Sequence, residues 1–267
     1  MRLILSQKNI GQIAADYIIQ RINNAPDHRL VLGFPTGSTA LDMYAALSKA
    51  CAEGKVSFKN VITFNMDEYI GLPENDPQSY HTYMRENLFD HIDIKPENTH
   101  ILNGNTPDIE AECRAYERAI ADAGGIDIFF GGVGRNGHLA FNEPGTPFNS
   151  RTGRVTLTPS TIEANARFFA NDLSKVPTHA LSIGIGTLTD AKEVWILIKG
   201  EKKADAVRRL TEEEPSVNCP ITALRHNANS TILADEEACA HLGQALRAQF
   251  DELRQKDPQK GYWEIIL

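Results

Sequence analysis

The sequence predicts one α/β domain, a Rossmann-like, doubly wound and mostly parallel sheet with helices on both faces. Three observations predict it. Short apolar runs alternate along the whole chain with longer amphipathic stretches. The runs are apolar at nearly every position, as strands buried on both faces require. No Pro/Gly/Ser-rich linker and no internal repeat divides the 267 residues, a length that buries a sizeable core without disulfides or metal staples.

The expected strands are LVLGF (30–34), VITFN (61–65), IDIFFGG (126–132), ALSIGIG (180–186), EVWILIKG (193–200) and STILAD (230–235), with another opening almost at Met1. Helical patterns lie between them at 39–54, 108–125 and 201–214. The middle one opens on Pro107-Asp108 and stops at Gly124-Gly125, the residue types that start and end helices.

Composition excludes several functions. With 27 Lys plus Arg against 35 Asp plus Glu the net charge is −8, and no basic cluster is longer than a helix end. That argues against a nucleic-acid or anionic-membrane surface. Cys51, Cys113, Cys219 and Cys239 are far apart and form no C-x-x-C pair, which suits a reducing cytoplasm and offers no zinc site. After Arg2 the N-terminus has a three-residue apolar run before Ser6, so no secretory leader is expected there.

In doubly wound sheets ligands bind at the carboxyl ends of the strands. LVLGF is followed by Thr36-Gly37-Ser38-Thr39 and a helix, an arrangement that aims backbone N–H groups, hydroxyls and a helix dipole at one point. It reads either as a phosphate cradle or as a Ser/Thr cap after a glycine turn; no Lys follows the glycine, so it is not a nucleoside-triphosphate loop. VITFN is followed by Met66-Asp67-Glu68-Tyr69, where Asp67 is either a general base or a loop carboxylate.

IDIFFGG runs into GGVGRNGHLAFNEPG, residues 131–145. GVGRNG matches the spacing of a dinucleotide fingerprint, but Pro144 follows too soon for the helix such a site needs. The glycines instead suit close backbone approach and presentation of His138. Asn136 and Glu143 flank that histidine, and a His–Glu pair fixes the tautomer of an imidazole that moves protons near neutral pH. The other seven histidines have no companion motif and read as surface or packing residues. Arg167 and Lys203 lie near element ends, where either could neutralise a phosphate.

PTGST, TFNMDEYIGL, PQSYHTYM, GNTPDIEAECRAYE, GGVGRNGHLAFNEPG, SRT, ANARFF and ALSIGIGTL, in that order, resemble the glucosamine-6-phosphate deaminases over nearly the full chain. The resemblance implies conversion of a hexosamine 6-phosphate and water to fructose 6-phosphate and ammonia, with no metal or other cofactor. It implies His138 as the ring-opening proton shuttle, Glu143 as its orienter and Asp67 as the base that moves a proton between C2 and C1. It also implies a phosphate held by Gly37, Ser38, Thr39, Arg167 and Lys203, and a mobile lid at about 158–180. Two departures stand out. Many members carry Asp where this chain has Asn136, so the imidazolium here would depend mainly on Glu143. Where hexameric, allosterically activated members hold N-acetylglucosamine 6-phosphate with an Arg and a Lys, this chain has Gly153 and Val155, with Arg154 expected on the opposite strand face.

Two rivals remain at this point. A 6-phosphogluconolactonase shares the fold, but its histidine loop does not continue as FNEP and it has no use for a C2 base. A sugar-phosphate sensor needs no acid–base pair and carries a DNA-binding segment ahead of the domain. The expected partner is a small phosphorylated sugar, with no nucleic acid and no membrane; a homo-oligomer and the choice of hexosamine stay open.

Overall fold

The computed structural model describes residues 1–267. Its strands are β1 (Arg2–Ser6), β2 (Val31–Phe34), β3 (Ile62–Asn65), β4 (Asp67–Tyr69), β5 (Thr99–His100), β6 (Ile128–Gly131), β7 (Gly153–Thr156), β8 (His179–Ser182), β9 (Glu193–Ile198), β10 (Ser230–Asp235) and β11 (Tyr262–Ile266). The helices are α1 (Ile10–Asn24), α2 (Leu41–Ala52), α3 (Tyr80–Asn87), α4 (Ile109–Asp122), α5 (Pro159–Asn165), α6 (Ile185–Thr189), α7 (Ala204–Glu212) and α8 (Gln244–Lys256).

Eight strands form one sheet in the order β11-β1-β10-β9-β6-β2-β3-β5. It is parallel except for β11, which runs antiparallel to β1. Successive side chains of a strand point to opposite faces, and here both faces are apolar. In β9, Val194, Ile196 and Ile198 join a core with Tyr116 of α4, Leu210 of α7 and Phe250 of α8. The alternate residues Trp195 and Leu197 join a second core with Ile18 of α1, Leu47 of α2 and Met84 of α3. A sheet sandwiched in this way explains why its strands read as unbroken apolar runs.

The helix signals work as local chemistry predicts. The Asp108 carboxylate accepts the Ala111 N–H at 2.9 Å and so starts α4, satisfying one of the N–H groups that a helix leaves free at its start. Gly124 and Gly125 take φ of +92° and +80° just past its end. The Asn9 side chain caps α1 in the same way.

One expected strand is corrected. ALSIGIG is strand only as far as Ser182; Gly184 ends it and α6 begins at Ile185. The strand, β8, also lies outside the main sheet, pairing antiparallel with β4 and β7 in a sheet of three. An apolar run marks burial, and here the burial comes from a small aromatic core of Tyr69, Phe141, Leu157, Phe169 and Ala180 rather than from helices on two faces.

Candidate active site

Strand order reverses around β2: the chain proceeds from it to β3 and β5 on one side, and to β6, β9 and β10 on the other. The loops that leave β2, β3, β6 and β9 therefore emerge side by side at one edge of the sheet, where doubly wound folds bind ligands.

After β2, Gly37 adopts φ +104°, ψ 168°, with open space where a side chain would stand. Only glycine takes that conformation without strain. Ser38–Ala40 then make a tight turn into α2. The loop is braced from α3, where the Tyr83 hydroxyl donates to the Gly37 carbonyl at 2.8 Å.

Asp67 follows β3 and is 4% exposed, and its Oδ1 has no hydrogen-bond partner. Burial, and then the neighbouring Glu68 charge, push its carboxyl well above the ordinary carboxylate range; the Thr36 hydroxyl works in the other direction. Thr36, expected in the phosphate loop, thus bears on Asp67. A carboxylate so placed binds a proton more avidly than one in water.

The loop after β6 contains no helix, so the glycines do not form a dinucleotide site. A Cβ on Gly134 would fall 2.2 Å from His138 Cε1; the glycine makes room for the imidazole itself. Glu143 is the hub of the loop. Its Oε2 accepts from Asn136 Nδ2 at 2.7 Å and lies 3.6 Å from His138 Nδ1. Its Oε1 accepts from the Thr161 hydroxyl at 2.6 Å, with Thr158 Oγ1 at 3.2 Å. Burial opposes ionisation of Glu143, but His138, Thr161 and Asn136 outweigh it and hold the carboxyl at about 2. Asn136 makes no hydrogen bond to the imidazole: its amide donates to Glu143, and its Oδ1 accepts the His138 backbone N–H at 3.2 Å. His138 Nδ1 is buried without a hydrogen-bond partner.

The small sheet ties Asp67 to this loop. Asp67 pairs with Ser182, whose Oγ accepts the Phe141 N–H at 3.2 Å. Asn142 Nδ2 donates to the Leu139 and Ile183 carbonyls at 2.9 and 2.8 Å.

Lys203 ends the turn between β9 and α7. Burial, then the charges of Arg135 and Arg167, pull its ammonium down to about 8. None of these cations enters an ion pair within the chain. The Arg167 guanidinium rests 4.6 Å from the Phe168 ring centroid. Cations that crowd one another without a carboxylate form a site for an external anion. Sequence reasoning missed Arg135, which sits inside a motif read for its glycines. It also missed Thr158 and Thr161: Thr158-Pro159 announces a helix start, but nothing local announces that both threonines face a carboxylate far back in the chain.

A buried carboxylate, an imidazole–carboxylate pair and a group of cations with no carboxylate partner at one edge of a parallel sheet suit proton transfer on a small anionic ligand. The family described as glucosamine-6-phosphate isomerases/6-phosphogluconolactonase matches residues 6–233, and the chain belongs to it. It is 54% identical over 247 residues to a glucosamine-6-phosphate deaminase of Porphyromonas gingivalis, covering 91% of this chain and 94% of the relative. Relatives of the same name in Drosophila pseudoobscura (50% identical; 91% and 90% covered) and Bacteroides fragilis (47%; 97% and 98%) are similar. Among solved structures, a monomeric glucosamine-6-phosphate deaminase superposes with a TM-score of 0.86 at 44% identity, covering 90% of this chain and 99% of that one. The 6-phosphogluconolactonase of Trypanosoma cruzi, with a TM-score of 0.71 at 18% identity over 90% of this chain and 96% of that one, shares the fold.

Proposed function

We propose that this chain is a glucosamine-6-phosphate deaminase, which isomerises the amino sugar from aldose to ketose and releases its amine as ammonia. The observation that carries this reading is the pairing of a buried carboxylate, Asp67, with a separate His138–Glu143 couple. The reaction needs both, because a closed pyranose has no acidic C2 proton. His138 carries the proton that opens the ring, held ready by Glu143. Asp67 then takes the C2 proton and returns it to C1 through an enolamine; its unpartnered Oδ1 is free to receive that proton. Water completes the exchange of the C2 amine for a carbonyl.

The phosphate is held by the Thr36–Thr39 turn together with Arg135, Arg167 and Lys203. Residues 158–180, which carry α5 and Arg167, act as the lid; closing it excludes water and strengthens these charge contacts. No helix is long and apolar enough to cross a membrane.

The reading is tested by incubating the protein with glucosamine 6-phosphate and assaying ammonia and fructose 6-phosphate, beside galactosamine 6-phosphate and 6-phosphogluconolactone. Ammonia from the glucosamine substrate is expected; lactone hydrolysis without ammonia would overturn the reading. Asp67→Asn is expected to lose roughly 10²–10⁴-fold in turnover and to abolish exchange of the C2 proton with solvent, while substrate still binds.

A further inference from the structure

Glu68 is a carboxylate that the reaction does not use. It is 1% exposed, yet it is saturated with donors. Oε1 accepts the Tyr69 and Tyr80 N–H groups at 2.7 and 3.1 Å. Oε2 accepts the His81 N–H at 3.1 Å and pairs with His81 Nδ1 at 2.8 Å. Tyr80 and His81 open α3, so the carboxylate also faces the positive end of a helix. Such a cradle holds the carboxylate in place and turns four donors toward it.

Asp67, one residue away, lives in the opposite environment. It is also buried, but its Oδ1 has no hydrogen-bond partner, with Glu68 as its charged neighbour and the Thr36 hydroxyl as its polar one.

We propose that the Glu68–His81 pair is a positioning unit for the base, fixing a buried negative charge beside Asp67 that makes it a stronger proton acceptor without touching substrate. Removing a proton from carbon demands a base of higher proton affinity than a solvated carboxylate offers. Burial supplies part of that affinity and the fixed charge adds to it. His81 limits the addition. Its Nδ1 shares the Glu68 charge, while its far edge faces Glu74, 3.8 Å from Nε2, and a cavity of about 400 Å³ that Arg85, His100 and Glu112 also line.

The proposal rests on Asp67 being the base, and two variants test it through the acid limb of the kcat/KM–pH profile. Substrate ionisations are common to all forms, so differences between variants belong to the protein. Glu68→Gln removes the charge and keeps the volume; its acid limb should move to lower pH by about one unit. His81→Leu removes a donor and leaves the charge; its limb should move to higher pH. An unmoved limb in Glu68→Gln, or a shift of the same sign in both variants, would overturn the proposal. If Glu68→Gln does not fold, His81→Leu decides alone, and no upward shift overturns it. Failure of the functional reading looks different: Asp67→Asn would then keep wild-type turnover.

Discussion

The Thr161 hydroxyl lies 2.6 Å from Glu143 Oε1, so the segment read as a lid is bonded to the carboxylate that faces His138. Arg167, six residues further along, belongs to the cation cluster around Lys203. One short stretch thus touches the Glu143–His138 pair at one end and the cations proposed to hold the phosphate at the other. Thr161→Val is expected to lower kcat about tenfold, the equivalent of roughly 1.5 kcal/mol for a hydrogen bond to a charged group. Thr161→Ser should restore most of that loss. A valine variant with wild-type kcat would show the hydrogen bond to be idle.

Asn136 bears on Glu143 more directly than on His138. Asn136→Asp sets a second carboxylate against Oε2 in place of the 2.7 Å amide hydrogen bond. Two effects follow. The added anion favours imidazolium, so the pH limb governed by ring opening should move upward. Removal of the amide donor and the facing carboxylates should also lower Tm at neutral pH by a few degrees, as about 1 kcal/mol does in a chain of this size. Thermal unfolding beside a pH–rate profile checks both, and an unmoved profile would break the link between this position and His138.

Lys203 supplies a pH dependence with a definite sign. Its ammonium is held at about 8, chiefly by burial, so the free protein loses this charge, proposed to bind the phosphate, as pH rises through that value. The kcat/KM profile, which reports the free protein, should therefore fall on its alkaline side near pH 8. Lys203→Arg keeps its charge throughout that range and should carry the fall to higher pH. Arg135→Ala, which removes one of the cations depressing Lys203, should also move the fall upward while raising KM.

Gly153 and Val155 stand in β7, where Arg154 is exposed and Val155 packs against the aromatic core beneath the small sheet. The strand thus presents no cations at the two positions where the resemblance places the effector-phosphate contacts of activated family members. A hydrogen bond from a cation to a phosphate is worth about 1.5 to 3 kcal/mol, so the absence of two is enough to weaken effector binding by orders of magnitude. Substrate saturation curves with and without millimolar N-acetylglucosamine 6-phosphate should superimpose. A sigmoidal curve made hyperbolic by the effector would mean that another cationic site serves.

The sequence by itself determined the six inner strands of the main sheet, the helices α2, α4 and α7, and the loops proposed to bear the chemistry; the edge strands β5 and β11 and the helices α1, α3 and α8 were not read from it. Strands buried on two faces cannot be written without unbroken apolar runs, and helix ends need Asp108 or Gly124 where the backbone leaves donors free or turns with positive φ. Asp67, His138, Glu143 and the Thr36–Thr39 turn were legible for the same local reason: each follows a strand. Only the tertiary structure decided what surrounds them. The second sheet, the Thr161–Glu143 bond, the cations around Lys203 and the cradle around Glu68 join residues far apart in the chain or on separate elements. Periodicity reports which way a side chain points from its own backbone. Which partner waits there is set by packing, and the proton affinities of Asp67, Glu143 and Lys203 follow from burial together with those partners.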